Sequence, residues 1–401
     1  MRSLSCDVLV VGAGPVGCIA AKTASECGAN VILLEEHPQV GSPVFCAEGL
    51  SLKCIKDSGL EVKTPIVCQE ITETRIIAPN KNYIKLVSPK WSEFIINRDL
   101  FDLALSEKAV KSGVHLMTNT RALTVTKKGD TVNGVIANNY DTELKISAKV
   151  VVGADGHASV VRITSGLSRW FSDVYTCAQF TLGGLDLNPQ VKEVLLGGNI
   201  APGGYAWVFP KSREVANVGL GVRRIHETFP IEYLKKFVES DARFRSAEIQ
   251  MVTGGICPAS GTLNKIVDNG VMIVGDAAGQ LMPLTGAGVQ SGIRAGRISG
   301  EVAAQSVKEG DVSASRLSMY ERRFDGEWGE LIRNSRWVRE HLDRLGDEDL
   351  NRLPRIIGGE DLGKLASGTA VKRTIAKTIT RSPMDVIILL NSLLFPRGHG
   401  F

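Results

Sequence analysis

The chain has 401 residues, of which 47 are Lys or Arg and 43 are Asp or Glu, so its net charge is only +4. This balance argues against bulk nucleic-acid binding, and the length provides a core for one large composite domain or two to three interleaved ones. A predicted strand begins almost at once, so we expect no secretory signal, and no apolar run approaches the ~20 residues that cross a bilayer.

Eight cysteines occur without a Cys-x-x-Cys pair, which argues against a zinc site and an iron–sulfur cluster, so we expect no metal. Such cysteine usage is typical of a reducing cytoplasm. The eighth, Cys46, lies in a loop of turn formers, GSPVFCAEGL, at residues 41–50. The other seven are predicted to be small buried or half-buried hydrophobes: Cys6, Cys18, Cys27, Cys54, Cys68, Cys177 and Cys257.

The first predicted unit, at residues 7–36, reads as a strand, a glycine turn, a small-residue helix and a second strand. Gly12, Gly14 and Gly17 have the Gly-x-Gly-x-x-Gly spacing of a dinucleotide-binding turn, in which a pyrophosphate approaches N–H groups at the helix N-terminus. Glu35 ends the second strand and is placed to accept hydrogen bonds from ribose hydroxyls. This acid favours FAD or NAD over a 2′-phosphorylated cofactor.

Further elements follow in chain order. Residues 74–79 and 83–88 alternate like strands, and residues 96–113 have the apolar spacing of a helix that ends at a glycine. Residues 114–128 are predicted to form the next strand. There is no internal repeat and no low-complexity linker.

Residues 202–210, PGGYAWVFP, alternate with a period of two. Tyr205, Trp207 and Phe209 therefore project from one face of a predicted strand and line one wall. A core-facing strand is the plain alternative.

The C-terminal third reads as a helical region. Between residues 316 and 345 apolar residues recur at three- and four-residue spacing, which predicts an amphipathic helix, and a glycine-rich break follows at 358–363. Residues 371–395 carry four basic side chains and no acid until Asp385, before a short apolar run. Two compatible interpretations stay open: a helix packed onto the protein, or one at an anionic membrane surface.

Two more glycine-punctuated apolar runs precede predicted helices: VVVGADGHASVVR at 150–162 and NGVMIVGDAAGQLMPLTGAGVQSGI at 269–293. With the first glycine turn they resemble, in kind and order, the three FAD-binding segments of the FAD-containing aromatic-ring hydroxylases and geranylgeranyl reductases. PGGYAWVFP matches the Pro-x-x-Tyr-x-Trp-x-Phe-Pro motif of geranylgeranyl reductases over all nine positions. The resemblance covers essentially the whole chain.

This resemblance implies the cofactor FAD and a set of contacts to it. Asp276 would bond ribityl or ribose hydroxyls, and the backbone of Gly288 and Val289 would meet the isoalloxazine ring. Asp155 belongs to the Asp-Gly segment, and Ala122 would lie against the cofactor on the adenine side.

The resemblance also covers the cysteine loop and the helix after it. Cys46, Ala47 and Gly49 match a loop that runs beside the flavin, and Cys46 is either a catalytic thiol or a loop cysteine without chemistry. Arg98 matches an Arg-x-x-Phe-Asp pattern whose arginine reaches the cofactor, although from the residues alone it reads as a solvated helix end. Tyr205 or Cys46 is the candidate proton relay.

The predicted fold is α/β with α+β elements: a Rossmann-like FAD-binding domain, an antiparallel-sheet substrate domain and a helical C-terminal region. The corresponding segments are 1–75, 92–165 and 265–310 for FAD, 76–91 and 166–264 for substrate, and 311–401 for the helical region.

We interpret the chain as an FAD-dependent reductase that saturates C=C bonds of geranylgeranyl chains, in archaeal ether lipids or in geranylgeranyl diphosphate. Its catalytic positions would be Cys46, Tyr205, Trp207 and Phe209, with an aromatic-walled tunnel for the polyprenyl chain. A class A flavin monooxygenase and a flavin-dependent halogenase share the FAD segments, although the aromatic motif only partly imitates the halogenase Trp-x-Trp. A non-enzymatic flavin-binding sensor is a third alternative.

The expected partners are a polyprenyl lipid substrate and an external electron donor, either ferredoxin or NAD(P)H, since no second complete glycine fingerprint is present. No nucleic acid is expected. The expected location is the cytoplasm, with peripheral contact at the inner face of the cell membrane as an open option.

Overall fold

The computed structural model describes residues 2–87, 92–168, 170–223 and 229–381. Within these residues the chain forms three β-sheets, of eight, seven and three strands, together with twelve α-helices. The predicted fold class is confirmed: a Rossmann-like sheet and an antiparallel sheet are followed by a helical C-terminal region.

The strands are numbered in chain order. They are β1 (Arg2–Val11), β2 (Val31–Leu34), β3 (Gly49–Ser51), β4 (Val67–Ile71), β5 (Glu73–Ile77), β6 (Tyr83–Leu86), β7 (Glu93–Ile96), β8 (His115–Met117), β9 (Thr120–Lys128), β10 (Thr131–Asn139), β11 (Thr142–Gly153), β12 (Val174–Gly183), β13 (Val191–Leu195), β14 (Tyr205–Pro210), β15 (Ala216–Arg223), β16 (Glu248–Pro258), β17 (Val267–Asp268) and β18 (Val271–Ile273).

The helices are numbered in the same way. They are α1 (Pro15–Glu26), α2 (Leu52–Asp57), α3 (Arg98–Lys111), α4 (Val160–Ser165), α5 (Pro230–Ser240), α6 (Val289–Glu309), α7 (Ala314–Phe324), α8 (Glu330–Leu342), α9 (Asp347–Leu350), α10 (Leu353–Ile356), α11 (Gly359–Ala366) and α12 (Val371–Arg381).

The eight-stranded sheet carries the predicted glycine turn. Its order is β17-β18-β11-β1-β2-β8, and β9 and β10 extend it beside β11. Parallel pairing places Val8 between Val31 and Val150, so the apolar run of β1 is buried among the apolar runs of its neighbours. The carboxyl ends of β1, β2 and β11 consequently meet at one edge of the sheet, where ligands bind in such folds.

Helices α1 and α6 approach each other closely over this sheet. A Cβ atom at Gly296 would lie 2.5 Å from the carbonyl oxygen of Val16, and one at Gly300 would lie 2.5 Å from that of Ala20. Glycine is therefore required at both positions, because any side chain would separate the two backbones. This contact fixes the N-terminus of α6 relative to the glycine turn that precedes α1.

The seven-stranded sheet has the order β16-β12-β15-β14-β13-β5-β6 and is antiparallel except where β13 runs beside β5. Ala206, Val208 and Leu220 lie on one face, where they pack with Leu234 and Phe237 of α5. The opposite face carries the predicted aromatic residues and contacts the loop between β2 and β3.

The three-stranded sheet, β3-β7-β4, anchors the end of that loop. Gly49 pairs with Ile95, and the N–H of Ile96 donates to the carbonyl oxygen of Glu48 at 3.0 Å. Because α3 begins two residues after β7, the same small sheet also positions Arg98 at the start of this helix.

Two expectations from the sequence are wrong. The strand predicted at 114–128 is divided into β8 and β9, because Asn119 adopts a left-handed conformation with φ 50°. The predicted break at 358–363 is mostly helical, since α11 begins at Gly359. A Cβ atom at Gly359 would lie 2.1 Å from the carbonyl oxygen of Lys85, so this glycine permits close packing against β6.

The helix predicted between 316 and 345 is confirmed as α7 and α8, joined by a wider helical turn at Asp325–Gly329. Helix α12 forms the start of the basic stretch. The apolar run predicted beyond it lies outside the described residues, as does the end of the strand predicted at 83–88. In the described part of the chain, no helix combines the length and the apolar character that a membrane span requires.

One predicted domain boundary, after residue 75, falls inside β5, which belongs entirely to the seven-stranded sheet. The remaining boundaries stay predictions.

Candidate functional site

The glycine turn leaves room for a ligand at one of its three glycines. Gly12 has φ 96°, and a Cβ atom there would lie 2.5 Å from the carbonyl oxygen of Ala154. A Cβ atom at Gly17 would lie 1.8 Å from the carbonyl oxygen of Gly12, whereas one at Gly14 would meet nothing within 4 Å. No side chain caps α1, so its first N–H groups are available to phosphate oxygens.

Glu35 is buried beside this turn. Its Oε2 accepts a hydrogen bond from the N–H of Ala13 at 3.0 Å, and its Oε1 accepts one from the N–H of His37 at 2.9 Å. Nδ1 of His37 also lies 2.7 Å from Oε1. A carboxylate has about four acceptor positions, so Glu35 still has one open for a hydroxyl group. The N–H of Thr120 donates to the Glu35 carbonyl oxygen at 2.7 Å, which brings β9 and the buried Ala122 to the same end of the sheet.

Asp155 lies next to the glycine turn but caps a helix. Its Oδ1 accepts from the hydroxyl of Ser159 at 2.5 Å, and its Oδ2 accepts from the N–H of Val161 at 3.1 Å. A Cβ atom at Gly12 would lie 3.0 Å from the Cα of Asp155. The Asp-Gly segment therefore lies against the glycine turn, while direct contact between the Asp155 carboxylate and a cofactor stays a prediction.

Arg162 is a buried residue that the sequence analysis missed. Its Nη1 donates to the carbonyl oxygen of Ala277 at 3.2 Å and its Nη2 to that of His157 at 2.8 Å, while the guanidinium lies 4.3 Å from the centre of the Phe171 ring. Burial lowers its pKa, and the charge of Asp155 only partly offsets this effect. Arg162 thus ties the Asp-Gly segment to the later Gly-Asp segment.

Asp276 follows β18 and lies beside the start of α6. A Cβ atom at Gly288 would lie 3.0 Å from Oδ1 of Asp276. Among the residues that the structure describes, none donates a hydrogen bond to this carboxylate; burial raises its pKa, and the positive charge of Arg98 partly offsets the rise. A half-buried acceptor without a protein donor is suited to ligand hydroxyls. No side chain caps α6, so its first N–H groups, from Val289 onward, are also available.

Arg98 lies between Asp276 and the cysteine loop. Its Nε donates to Oδ1 of Asp102 at 2.7 Å. Burial by itself would lower its pKa, but the Asp102 carboxylate and the Cys46 sulfur outweigh burial, and the pKa is raised above its ordinary value. The structure therefore brings Arg98, Cys46 and Asp276 together around one position, and Arg98 is not a solvated helix end.

Glu48 is the central residue of the cysteine loop, and the sequence analysis did not single it out. Its Oε2 accepts from Nζ of Lys211 at 2.5 Å and from Nδ2 of Asn217 at 2.6 Å, while its Oε1 accepts from the N–H of Arg98 at 2.8 Å. Glu48 has φ 72°, a conformation that is costly for a residue with a Cβ atom. These buried hydrogen bonds hold the loop in that conformation.

The predicted aromatic wall is confirmed as one face of β14. The ring centres of Tyr205 and Trp207 are 6.0 Å apart, and those of Trp207 and Phe209 are 6.4 Å apart. Trp207 and Phe209 are buried and Tyr205 is half-buried. Ala47 packs against this cluster, and a Cβ atom at Gly49 would lie 3.2 Å from the Phe209 ring. The wall and the cysteine loop are thus in direct contact.

Gln179 connects the wall to the loop and was also missed. The indole Nε1 of Trp207 donates to Oε1 of Gln179 at 2.8 Å, and Nε2 of Gln179 donates to the carbonyl oxygen of Cys46 at 3.1 Å. The only sequence signal for Gln179 is an amide inside a mostly apolar strand. Because both ends of this amide are bonded, the position of Cys46 depends on Trp207.

Several hydroxyl and thiol groups near the wall remain protonated at neutral pH. The hydroxyl of Tyr205 donates to the carbonyl oxygen of Thr285 at 2.5 Å, and burial raises its pKa above the ordinary value. Burial also raises the pKa of the Cys177 thiol to about 12 and that of Cys257 well above its ordinary value. In the described part of the chain, no three His, Cys, Asp or Glu side chains are grouped to hold a metal ion.

Comparison with protein families divides the chain into two matched regions. Residues 7–171 match the FAD dependent oxidoreductase family, and residues 173–256 match the geranylgeranyl reductase catalytic domain. The first region contains the glycine turn, Glu35 and Arg98, and the second contains the aromatic wall and Gln179.

Whole-length relatives agree with these matches. A digeranylgeranylglycerophospholipid reductase of Methanothrix thermoacetophila is 39% identical over 370 residues, which cover 90% of this chain and 94% of that protein. A digeranylgeranylglycerophospholipid reductase of Methanosarcina acetivorans is 39% identical over 358 residues, covering 86% of this chain and 87% of that protein.

Among solved structures, a geranylgeranyl bacteriochlorophyll reductase-like protein of Thermoplasma acidophilum superposes with a TM-score of 0.87 at 28% identity, covering 97% of this chain and 100% of that one. A flavin-dependent brominase superposes with a TM-score of 0.74 at 20% identity, over 95% of this chain and 100% of that one, and shows the fold alone. Taken with the family matches, these relatives show that the chain belongs to the geranylgeranyl reductase family of FAD-dependent oxidoreductases.

Proposed function

We propose that this protein saturates the geranylgeranyl C=C bonds of an archaeal ether lipid of the kind named for its relatives, digeranylgeranylglycerophospholipid. The observation that carries this proposal is the aromatic face of β14, which lies inside the matched catalytic region and against the cysteine loop. A polyprenyl chain offers only apolar surface and π bonds, and aromatic side chains complement both.

We propose the following contacts for the adenosine half of FAD. The turn at Gly12, Gly14 and Gly17 admits the pyrophosphate to the N-terminus of α1, because the space beside Gly14 is open. Glu35 accepts hydrogen bonds from the adenosine ribose, with Ala122 close to the same end of the sheet. Asp155 contributes to this half of the site by lying beside the glycine turn at Gly12.

For the flavin half, the carboxylate of Asp276 accepts hydrogen bonds from ribityl hydroxyls, and it is available for them because no described residue donates to it. The backbone N–H groups at Gly288 and Val289 face the isoalloxazine ring, where the positive end of α6 favours negative charge. Arg98, Cys46, Ala47 and Gly49 border the same position.

FAD held by these residues would supply, once the external donor has reduced it, the hydride for the reduction. An isolated alkene is not polarised, so its reduction needs a proton at one carbon and a hydride at the other, with positive charge developing at the tertiary carbon. The chain's main contribution is to orient the alkene and exclude water. The buried rings of Trp207 and Phe209 do both. Cys46 stays the candidate proton donor, since the hydroxyl proton of Tyr205 is bonded to the Thr285 carbonyl oxygen.

Anaerobic turnover tests the proposed function. Dithionite-reduced protein, mixed with digeranylgeranylglycerophospholipid in the absence of oxygen, should give products that gain two hydrogens per double bond by mass spectrometry. Dithionite replaces the physiological donor, for which ferredoxin and NAD(P)H both stay proposals. A monooxygenase or halogenase requires oxygen, so turnover only in air would contradict the proposal. Geranylgeranyl diphosphate in competition reports whether the lipid-linked or the free chain is preferred.

Glu35→Arg should raise the dissociation constant of FAD at least tenfold, because it removes a ribose acceptor and places a cation in a buried site. Tenfold corresponds to about 1.4 kcal/mol, at the low end for a hydrogen bond to a charged group. The matched control is Glu36→Arg, since Glu36 is the next residue and is exposed. Flavin fluorescence titration of apoprotein measures both, and equal weakening by the two changes would remove Glu35 from the site.

Trp207→Ala should reduce alkene reduction at least tenfold while the dissociation constant of FAD changes less than threefold. The change removes part of the wall and the indole hydrogen bond that holds Gln179 against the Cys46 loop. Trp337→Ala is the control, because Trp337 lies on α8 and is 44% exposed. Parallel loss of FAD and activity in Trp207→Ala would assign the strand a structural role only.

We further propose a cytoplasmic location with peripheral contact at the membrane through α12. Lys372 and Arg373 are exposed on this helix, while Val371 packs with Val338 and Leu365. The two interpretations of the basic stretch are therefore compatible. The eight cysteines are free, which suits a reducing compartment.

The double change Lys372→Glu and Arg373→Glu should lower binding to phosphatidylglycerol-containing vesicles at least tenfold, since each basic residue near an anionic surface contributes about 1 kcal/mol. Co-sedimentation measures the bound fraction. Lys235→Glu with Lys236→Glu makes the same charge change at exposed positions of α5 and serves as the control. If both pairs lower binding equally, only net charge matters and α12 is not the contact.

A further inference from the structure

Residues 282–287 form a turn that leads directly into the N-terminus of α6. The N–H of Met282 donates to the carbonyl oxygen of Ala287 at 3.0 Å, and the N–H of Gly286 donates to that of Met282 at 2.8 Å. Because these internal bonds close the turn, we expect it to move as a unit. Any displacement of this turn therefore displaces Gly288, the residue that follows it.

Side chains of the seven-stranded sheet hold this turn from one side. The hydroxyl of Tyr175 donates to the carbonyl oxygen of Pro283 at 3.2 Å, and the hydroxyl of Tyr205 donates to that of Thr285 at 2.5 Å. Tyr175 is buried, and burial raises its pKa above the ordinary value, so its hydroxyl stays a proton donor at neutral pH. The seven-stranded sheet, to which we assign the lipid and which is called the substrate sheet below, is thus bonded to the 282–287 turn through two hydroxyl groups.

Helix α8 also holds the turn. The N–H of Leu284 donates to the hydroxyl of Ser335 at 3.1 Å, and Ser335 is fully buried. Arg339 and Asp343 follow at four-residue intervals, so they lie on the same face of the helical path as Ser335. This helix face therefore connects the turn to the charged side chains that pair with Arg339 and Asp343.

Arg339 and Asp343 contact the substrate sheet beside Tyr175. Arg339 pairs with Asp173, two residues before Tyr175, and Arg223 pairs with Asp343 at 2.5 Å and with Asp173 at 2.7 Å. Arg223 is also the β15 partner of Tyr175 in the sheet register. Arg339 is buried and Arg223 mostly buried, so this charge network is rigid compared with exposed ion pairs. The sheet, α8 and the turn consequently form one closed set of contacts.

We propose that Tyr175 and Ser335 are positioning residues that hold the 282–287 turn and thereby couple lipid binding on the substrate sheet to the redox equilibrium of bound FAD. The inference rests on the proposed function for the identity of the lipid. The free N–H groups at the start of α6 stabilise negative charge on a bound group. Loosening the turn moves these donors, so loss of either hydroxyl disfavours the reduced cofactor.

The test measures the two-electron midpoint potential of bound FAD by dye equilibration, first without lipid. Tyr175→Phe and Ser335→Ala should each lower the ratio of reduced to oxidised FAD at a fixed potential at least threefold, a shift of about 14 mV to more negative values. Ser335→Thr keeps a hydroxyl and should restore the wild-type potential. Ser58→Ala is the matched control, because it removes a buried serine hydroxyl that donates to the Ile55 carbonyl oxygen at 2.6 Å, away from the turn.

A second titration adds digeranylgeranylglycerophospholipid in detergent micelles. The lipid should shift the wild-type potential, and this shift should be at least halved in Tyr175→Phe and Ser335→Ala but kept in Ser58→Ala. By linkage, reduction of FAD then changes lipid affinity by the same factor.

Wild-type potentials in both turn variants, or equal shifts in all three variants including Ser58→Ala, overturn the inference. Failure of the proposed function looks different: wild-type protein would reduce no geranylgeranyl lipid and show no lipid-dependent shift, while the potentials measured without lipid would still separate the turn variants from the control.

Discussion

The buried carboxylate of Glu48 is the contact on which the arrangement of the site depends. One side chain accepts hydrogen bonds from Lys211, which follows β14, from Asn217 of β15, and from the N–H of Arg98 at the start of α3. Removing one partner of a buried charge pair leaves the other uncompensated, which costs about 3–5 kcal/mol. Loss of the Glu48 carboxylate would therefore displace the cysteine loop and Arg98 relative to the sheet that carries the aromatic wall.

The parts of the site that follow from local sequence could be predicted. The glycine turn, the helix after it and Glu35 are specified within 30 residues, and the period-two pattern of β14 places its three aromatic rings on one face. Glu48, Gln179 and Arg162 could not be predicted, because each bonds to at least one residue far along the chain, at separations of 169, 133 and 115 residues. Nothing local identifies which distant group a buried polar side chain will meet.

Sequence patterns also locate residues without showing how their polar atoms are used. Asp155 lies beside Gly12, yet its two carboxylate oxygens accept hydrogen bonds from the hydroxyl of Ser159 and the N–H of Val161 at the start of α4. The hydroxyl of Tyr205 is likewise bonded to a backbone carbonyl oxygen. The glycine at 359 illustrates the opposite error: it reads as a helix breaker, but the close backbone of β6 is what requires it.

The position of β1 at the centre of its sheet has a consequence for biosynthesis. On one side it pairs with β2, which follows soon after, but on the other it pairs with β11, so that Val8 meets Val150. At ribosomal rates of roughly 5–20 residues per second, that second edge is open for about 7–28 s. An apolar strand edge that is open for this long favours aggregation. We therefore expect the nascent chain to depend on chaperones far more than the completed protein does.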